Sequence, residues 1–171
     1  MAAGLLVHHL AEARIPALVA SAGLLDGGRP ASPEAIAAVA TRGADLSRHR
    51  SRRLDAELLA EADIVLGMEP LHVRAAIELD PGALRRSFTL KDLVRRALRG
   101  GGRAPDQPLA GWLDGLDGAD AASRVEGDDE RDRVEDPLGQ GTAAYEACAE
   151  ELDLLTRGLR HLLWEDGQVP R

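Results

Sequence analysis

Asp63-Ile64-Val65-Leu66-Gly67-Met68, followed at once by Glu69-Pro70-Leu71-His72, is the stretch on which the fold turns. The first six residues are short and apolar and read as a buried strand. Pro70 is pre-set for the first turn of a helix, which should run to about Leu79. The same order recurs downstream, where Ser87-Phe88-Thr89-Leu90 reads as a short strand leading into a helix over Lys91–Arg99. Upstream, Ala17-Leu18-Val19-Ala20 lies between Pro16 and Gly23 and also reads as a buried strand. Before it, residues 4–13 suit a helix with Leu6, Leu10 and Ala13 on one face. After a Gly/Pro loop over residues 24–32, Ser32-Pro33-Glu34 opens a further helix with a capping hydroxyl and proline at the first helical position. Gly43 is a plausible stop for it, and Leu54 to Ala62 is another short helix. Strands alternating with helices imply an α/β fold in three layers, a parallel sheet flanked by helices.

The rest of the chain is of two kinds. Thr142 to Trp164 is a long amphipathic helix with Leu152, Leu155, Leu159 and Leu162–Leu163 on its apolar side. Between about residues 100 and 132 the sequence turns Gly-, Asp- and Arg-rich and loses periodicity, which implies a flexible acidic insertion, with Trp112, Leu113 and Leu116 as a single helical turn. Residues 114–136 hold ten acids against three arginines, so most of the formal net charge of -8 sits there. By length, 171 residues make a single domain over 1–171.

Composition narrows the function classes. A net negative chain argues against nucleic acid or an anionic membrane as the main partner. No run approaches the roughly 20 apolar residues of a membrane span. The start shows no signal-peptide pattern, and the single cysteine fits a reducing compartment, so the expected location is cytoplasmic. One cysteine also allows neither an intrachain disulfide nor a cysteine-based metal cage.

Several residues carry chemistry in principle. Asp136-Pro137 is one, because the residue before proline is held extended and an acidic side chain there is free of any helix. The same dipeptide is also an ordinary turn. Ser47-Arg48-His49-Arg50-Ser51-Arg52-Arg53 offers guanidinium forks and a titratable imidazole to an anion, or is simply a solvated basic turn. Glu69 and His72 stand at a strand end where open α/β sheets bind ligands, and equally at a helix start. His8 and His9, at adjacent helical positions, are expected not to share a face for metal binding. Cys148 lies inside a helix whose amides are already used, with Leu154 rather than arginine six residues on, so it reads as a packing residue.

Taken in order, Val19-Ala20-Ser21-Ala22-Gly23, Asp45 to Arg52, Asp63 to Glu69 and Glu135-Asp136-Pro137 resemble the low-molecular-weight protein-tyrosine phosphatases of the bacterial type. The resemblance spans nearly the whole chain apart from the acidic insertion. It implies hydrolysis of a phosphomonoester through a cysteinyl-phosphate, with no metal and no other cofactor, acting on a phosphorylated protein or a small phosphomonoester. In that pattern Asp136 is the general acid, Ser21 and His49 support the phosphate loop, and Arg29, Pro137 and Leu138 border the substrate crevice. Leu24 to Pro30 is similar to the variable loop at that crevice, and its composition predicts mobility. Many relatives have tyrosine after the Asp-Pro; here Leu138-Gly139 stands instead, which puts preference for phosphotyrosine in question.

The family's nucleophile and phosphate-binding arginine belong to a loop of a cysteine, five residues, an arginine and a serine, and no such motif occurs in the 171 residues. The resemblance places that loop after a central first strand, in a sheet ordered 2-1-3-4, with Ala17–Ala20 and Asp63–Met68 on either side. Without it the neighbours would stand nearly 10 Å apart, twice the usual spacing of about 4.8 Å. Orphaned backbone groups cost on the order of 1–3 kcal/mol each, against a domain stability of roughly 5–15 kcal/mol. The expectation is therefore a start upstream of Met1, with the chain inactive by itself. Two other solutions are closure of the gap and a strand donated by another chain. The alternative functional reading is a non-catalytic phosphatase-like protein that binds or regulates phosphorylated partners. An arsenate reductase of this fold would need further cysteines, and a generic α/β domain with a coincidental likeness completes the alternatives.

Overall fold

The structure is a computed structural model, and it describes residues 1–117 and 129–164. The chain divides into two units, Met1–Arg53 with Val134–Arg160 and Leu54–Arg133 with His161–Arg171. The centre of the expected acidic insertion lies outside the described residues.

The first unit is helical. It holds α1 (Ala2–Glu12), α2 (Pro33–Ala40) and most of α7 (Thr142–Trp164). Ser32 caps α2 as its sequence suggests, its Oγ accepting the Ala35 amide at 3.1 Å, with Pro33 opening the helix. Gly43 stands past the helix end at φ +84°, the left-handed conformation that suits glycine there. Ala35, Ala38, Tyr145 and Ala149 form a buried cluster against which Met1 packs. Along α7 the buried positions Tyr145, Ala149, Leu152, Thr156 and Leu159 recur at helical spacing. The Thr156 hydroxyl is satisfied by donating to the Leu152 carbonyl at 2.7 Å.

Two expectations fail here. On α1 the buried face is Leu5, His9 and Leu10, not Leu6, Leu10 and Ala13. The stripe is rotated because a histidine occupies an interior position, where Asp153 of α7 stands 2.8 Å from its ring. Ala17–Ala20 is not a strand: it has no regular structure, with Ala17, Leu18 and Ala20 exposed and Leu18 fully so. A strand is defined by its ladder, and the neighbour that the family resemblance assigns to this segment is not among the described residues.

The second unit carries the sheet. Strands β1 (Val65–Gly67) and β2 (Ser87–Thr89) pair in parallel, with Val65 opposite Ser87, Leu66 opposite Phe88 and Gly67 opposite Thr89. Among the described residues the sheet has these two strands. Helix α4 (Pro70–Leu79) links them and lies against both, the usual crossover of a parallel pair. Phe88 is completely buried. Thr89 ends β2 and caps α5 (Leu90–Gly100), its hydroxyl accepting the Asp92 amide at 3.1 Å. The protein thus has the expected α/β fold with a parallel sheet flanked by helices.

Helix α3 (Ala56–Ala60) is capped by Asp55. The expected single turn at Trp112 is a nine-residue helix, α6 (Leu109–Asp117). It is anchored by the Trp112 indole, which donates to the Gly101 carbonyl at 3.2 Å. Among the described residues no helix is long and apolar enough to cross a membrane.

Candidate functional site

The residues singled out for phosphate chemistry all lie in the first unit. Their frame is a pairing of two irregular segments, 21–30 and 50–53. The Gly23 amide donates to the Arg52 carbonyl at 2.9 Å, the Gly28 amide to Ser51 at 2.7 Å, and the Ser51 amide to Arg29 at 2.8 Å. Isolated bridges join Gly23 to Arg53 and Pro30 to Arg50. At Gly27 a Cβ would stand 2.9 Å from the Arg52 Cα and the Ser51 oxygen, so the close approach requires glycine. The loop that composition marks as mobile is therefore tied along its length to residues 50–53.

Ser21 enters through its backbone. Its carbonyl accepts from the Arg52 Nε at 2.9 Å, which fixes the Ser-Ala-Gly turn against the basic segment. The arginines of that segment are largely turned to the protein's own acceptors. Arg50 donates to the His49 carbonyl at 2.7 Å, and Arg53 stands 3.5 Å from the Asp26 carboxylate. Arg29 is exposed, and the Ser51 hydroxyl accepts its amide at 3.1 Å.

His49 is half-buried at the end of a turn begun by Asp45, whose Oδ1 accepts the Ser47 amide at 2.7 Å. Hydrogen bonds from Ser47, with a contribution from Arg48, hold the exposed Asp45 carboxyl below its usual range. The His49 imidazole is pushed below its ordinary value, first by desolvation, then by the α-amino group of Met1 and by Arg50. It is thus held in the neutral form near pH 7, with one nitrogen to donate and one to accept.

Asp136 stands exposed on a short loop, anchored by the buried Pro137 beside it. One carboxylate oxygen accepts the Leu138 amide at 3.0 Å, and the Asp136 carbonyl accepts from the Gln140 side chain at 2.6 Å. This Asx turn leaves the second oxygen on an exposed side chain, and three residues separate it from α7, Gly139 and Gly141 among them at positive φ. Leu138 is exposed next to it. Among the described residues no hydrogen bond joins Asp136 to Ser21 or His49: the carboxylate is held by its own loop, and Ser21 by Arg52. The roles of Arg52 as the tie on Ser21, and of Gln140 as the clamp on the acid loop, have no sequence signal beyond their polarity.

Cys148 is buried on α7, as its helical setting predicts. In the second unit, Glu69 caps α4 without a side-chain bond and His72 Nδ1 accepts the Met68 amide at 3.3 Å, so these two do serve a helix start.

The family described as low molecular weight phosphotyrosine protein phosphatase matches residues 1–111. No curated protein matches the chain by sequence. Among solved structures, a low molecular weight protein tyrosine phosphatase from T. tengcongensis is 29% identical at a TM-score of 0.69, covering 95% of this chain and 88% of that one. A mutant of the YwlE arginine phosphatase with a phosphorylated active-site serine is 26% identical at a TM-score of 0.64, covering 92% of this chain and 82% of that one. A low molecular weight protein tyrosine phosphatase from Bacillus subtilis, 23% identical at a TM-score of 0.67 with 94% and 85% covered, shares the fold.

Proposed function

Because the chain belongs to the low molecular weight phosphotyrosine protein phosphatase family, we propose that it carries the general acid and the supporting groups of a phosphomonoester hydrolase. The observation that carries this reading is the Asp136-Pro137 loop: an exposed carboxylate on a buried proline, with one oxygen committed to the backbone and one presented outward. A cysteine thiolate of a phosphate loop attacks phosphorus, and the ester oxygen leaves with the proton of Asp136. Water then attacks the cysteinyl-phosphate, giving its proton to Asp136 and releasing phosphate and thiolate. Ser21 and a neutral His49 hold the loop open by hydrogen bonds. Arg29, Pro137 and Leu138 border the crevice, and with Leu138 where a tyrosine is common the substrate need not be a phosphotyrosine. Phosphorylated proteins and small phosphomonoesters are the candidate substrates, and the cytoplasm is the proposed location.

The single cysteine lies buried in α7, so these 171 residues by themselves are expected to turn over nothing. That observation also favours a second reading, a phosphatase-like protein that binds phosphorylated partners without hydrolysis. Hydrolysis of p-nitrophenyl phosphate separates the two. The chain alone should be inactive. The chain extended at Met1 by an apolar strand and a loop of cysteine, five residues, arginine and serine should hydrolyse it, and Asp136→Asn should lower kcat by about 10²–10⁴-fold. A folded but inactive extended chain that still binds phosphate supports the binding reading. Activity indifferent to Asp136→Asn removes this residue from the mechanism.

A further inference from the structure

We propose that His8, His9 and Glu12 of α1 form a binding site for a divalent transition-metal ion of the zinc class, backed by Asp153 of α7. One potential ligand atom from each of the three, two imidazole nitrogens and a carboxylate oxygen, lie within 4.8 Å of one another. The His8 Nε2 stands 3.6 Å from Glu12 Oε1, and the His9 Nδ1 stands 3.9 Å from Glu12 Oε2. Zinc held at about 2.0–2.1 Å by nitrogen and oxygen sets neighbouring ligands about 3.4 Å apart, so a cluster whose ligand atoms lie within 4.8 Å of one another has to draw in around the ion. Two histidines and a glutamate, with water in the fourth position, are a sufficient donor set for this ion.

By adjacency alone His8 and His9 point different ways around α1. Glu12 resolves this, because it is four residues from one and three from the other and so faces both. The two rings are tilted by 55° with centroids 5.5 Å apart. The His8 ring lies against the backbone at Gly43, where a Cβ would come within 2.5 Å of its Cε1.

The second observation is independent of the cluster. His9 is only 4% exposed, and its Nε2 is 2.8 Å from Asp153 Oδ1. That contact is close but poorly aligned, and neither buried atom has another hydrogen-bond partner. The other Asp153 oxygen accepts from Arg157 at 2.8 Å. A carboxylate on one ring nitrogen of a histidine keeps that nitrogen protonated and leaves the lone pair on the other, which is how outer groups orient metal-binding histidines. With Asp153 beside Nε2, the nitrogen left to ligate is Nδ1, 3.9 Å from Glu12 Oε2. The site is separate from the phosphate chemistry and does not rest on it.

Calorimetric titration of the full chain with Zn²⁺, after chelator treatment and dialysis, tests the proposal. It predicts one ion per chain with a micromolar or tighter dissociation constant. Glu12→Gln, at a largely exposed side chain whose loss leaves the fold intact, should weaken binding at least about tenfold, and Asp153→Asn should weaken it by about 10–100-fold. His72→Gln, which disrupts the other His–Glu pair, should change nothing. Cobalt substitution should give a visible spectrum that Glu12→Gln alters. Absence of saturable binding, or Glu12→Gln binding as the native chain does, would overturn the proposal, as would loss of the site in His72→Gln.

Discussion

His49 shows how a single residue's surroundings set its chemistry. Partial burial removes water that would solvate a charge on its ring, and the Met1 α-amino group and the Arg50 guanidinium oppose such a charge. Each influence lowers the folded-state pKa below the unfolded value of 6.5. The sign for stability follows from linkage: the unfolded chain binds the proton more readily, so stability is complete above pH 6.5 and is lost as pH falls through the folded value. The urea midpoint should therefore drop between pH 7.5 and pH 5.5, and His49→Gln should flatten that drop. Arg50→Gln removes one of the two repelling charges, and the His49 pKa followed by the NMR shift of its imidazole protons should rise. A pKa that falls or stays fixed in that variant would show that Arg50 does not act on the ring. The segment was legible in sequence as basic; that Arg52 turns to the Ser21 carbonyl and Arg53 to Asp26 depends on atoms distant along the chain.

Elements were legible where their signals are local. Ser32-Pro33, Pro70 and Gly43 each act through the backbone within a few residues, and α2, α4 and the turn after α2 follow them. Ser32→Ala should cost about 1 kcal/mol, the usual worth of an N-cap, measured by urea denaturation. Helix α5 offers a contrast. Asp92 is buried, with its side chain accepting from Arg95 at 2.6 Å and from Arg96 at 2.8 and 2.9 Å, and Arg95 also pairs with Asp132. Asp92→Ala removes the buried carboxylate that both guanidiniums share, and should cost about 3 kcal/mol. A smaller loss than that of Ser32→Ala would mean that the arginines find other acceptors. Legibility failed where identity depends on a partner. Ala17–Ala20 has the composition of a buried strand, but a ladder is made by a neighbour, and the apolar run alone leaves Leu18 in water. Helix α6 was hidden for another reason: Gly111 and Gly115 dilute the periodicity around Trp112. His9 was hidden because helical adjacency says nothing of Asp153, which meets it from α7.

At the scale of the whole molecule, two surface properties oppose each other. A net charge of -8 keeps copies apart, while the irregular apolar segment Ala17–Ala20, with Leu18 wholly exposed, offers a side chain that gains by burial. Charge repulsion vanishes near the isoelectric point of about 5.1 and is weakened by salt at any pH. The apolar attraction does neither. Self-association should thus be low at pH 8 in dilute buffer and rise as the pH approaches 5.1 or as salt is added, followed by light scattering. Leu18→Asp places a charge in the middle of the segment, which blunts an exposed edge directly. Because Leu18 touches little, the variant's stability should stay within about 0.5 kcal/mol of the native chain. Its scattering should remain low across the same pH and salt range. Scattering that rises equally in both proteins would place the association on some other surface, and a lowered stability would mean that Leu18 is buried in solution.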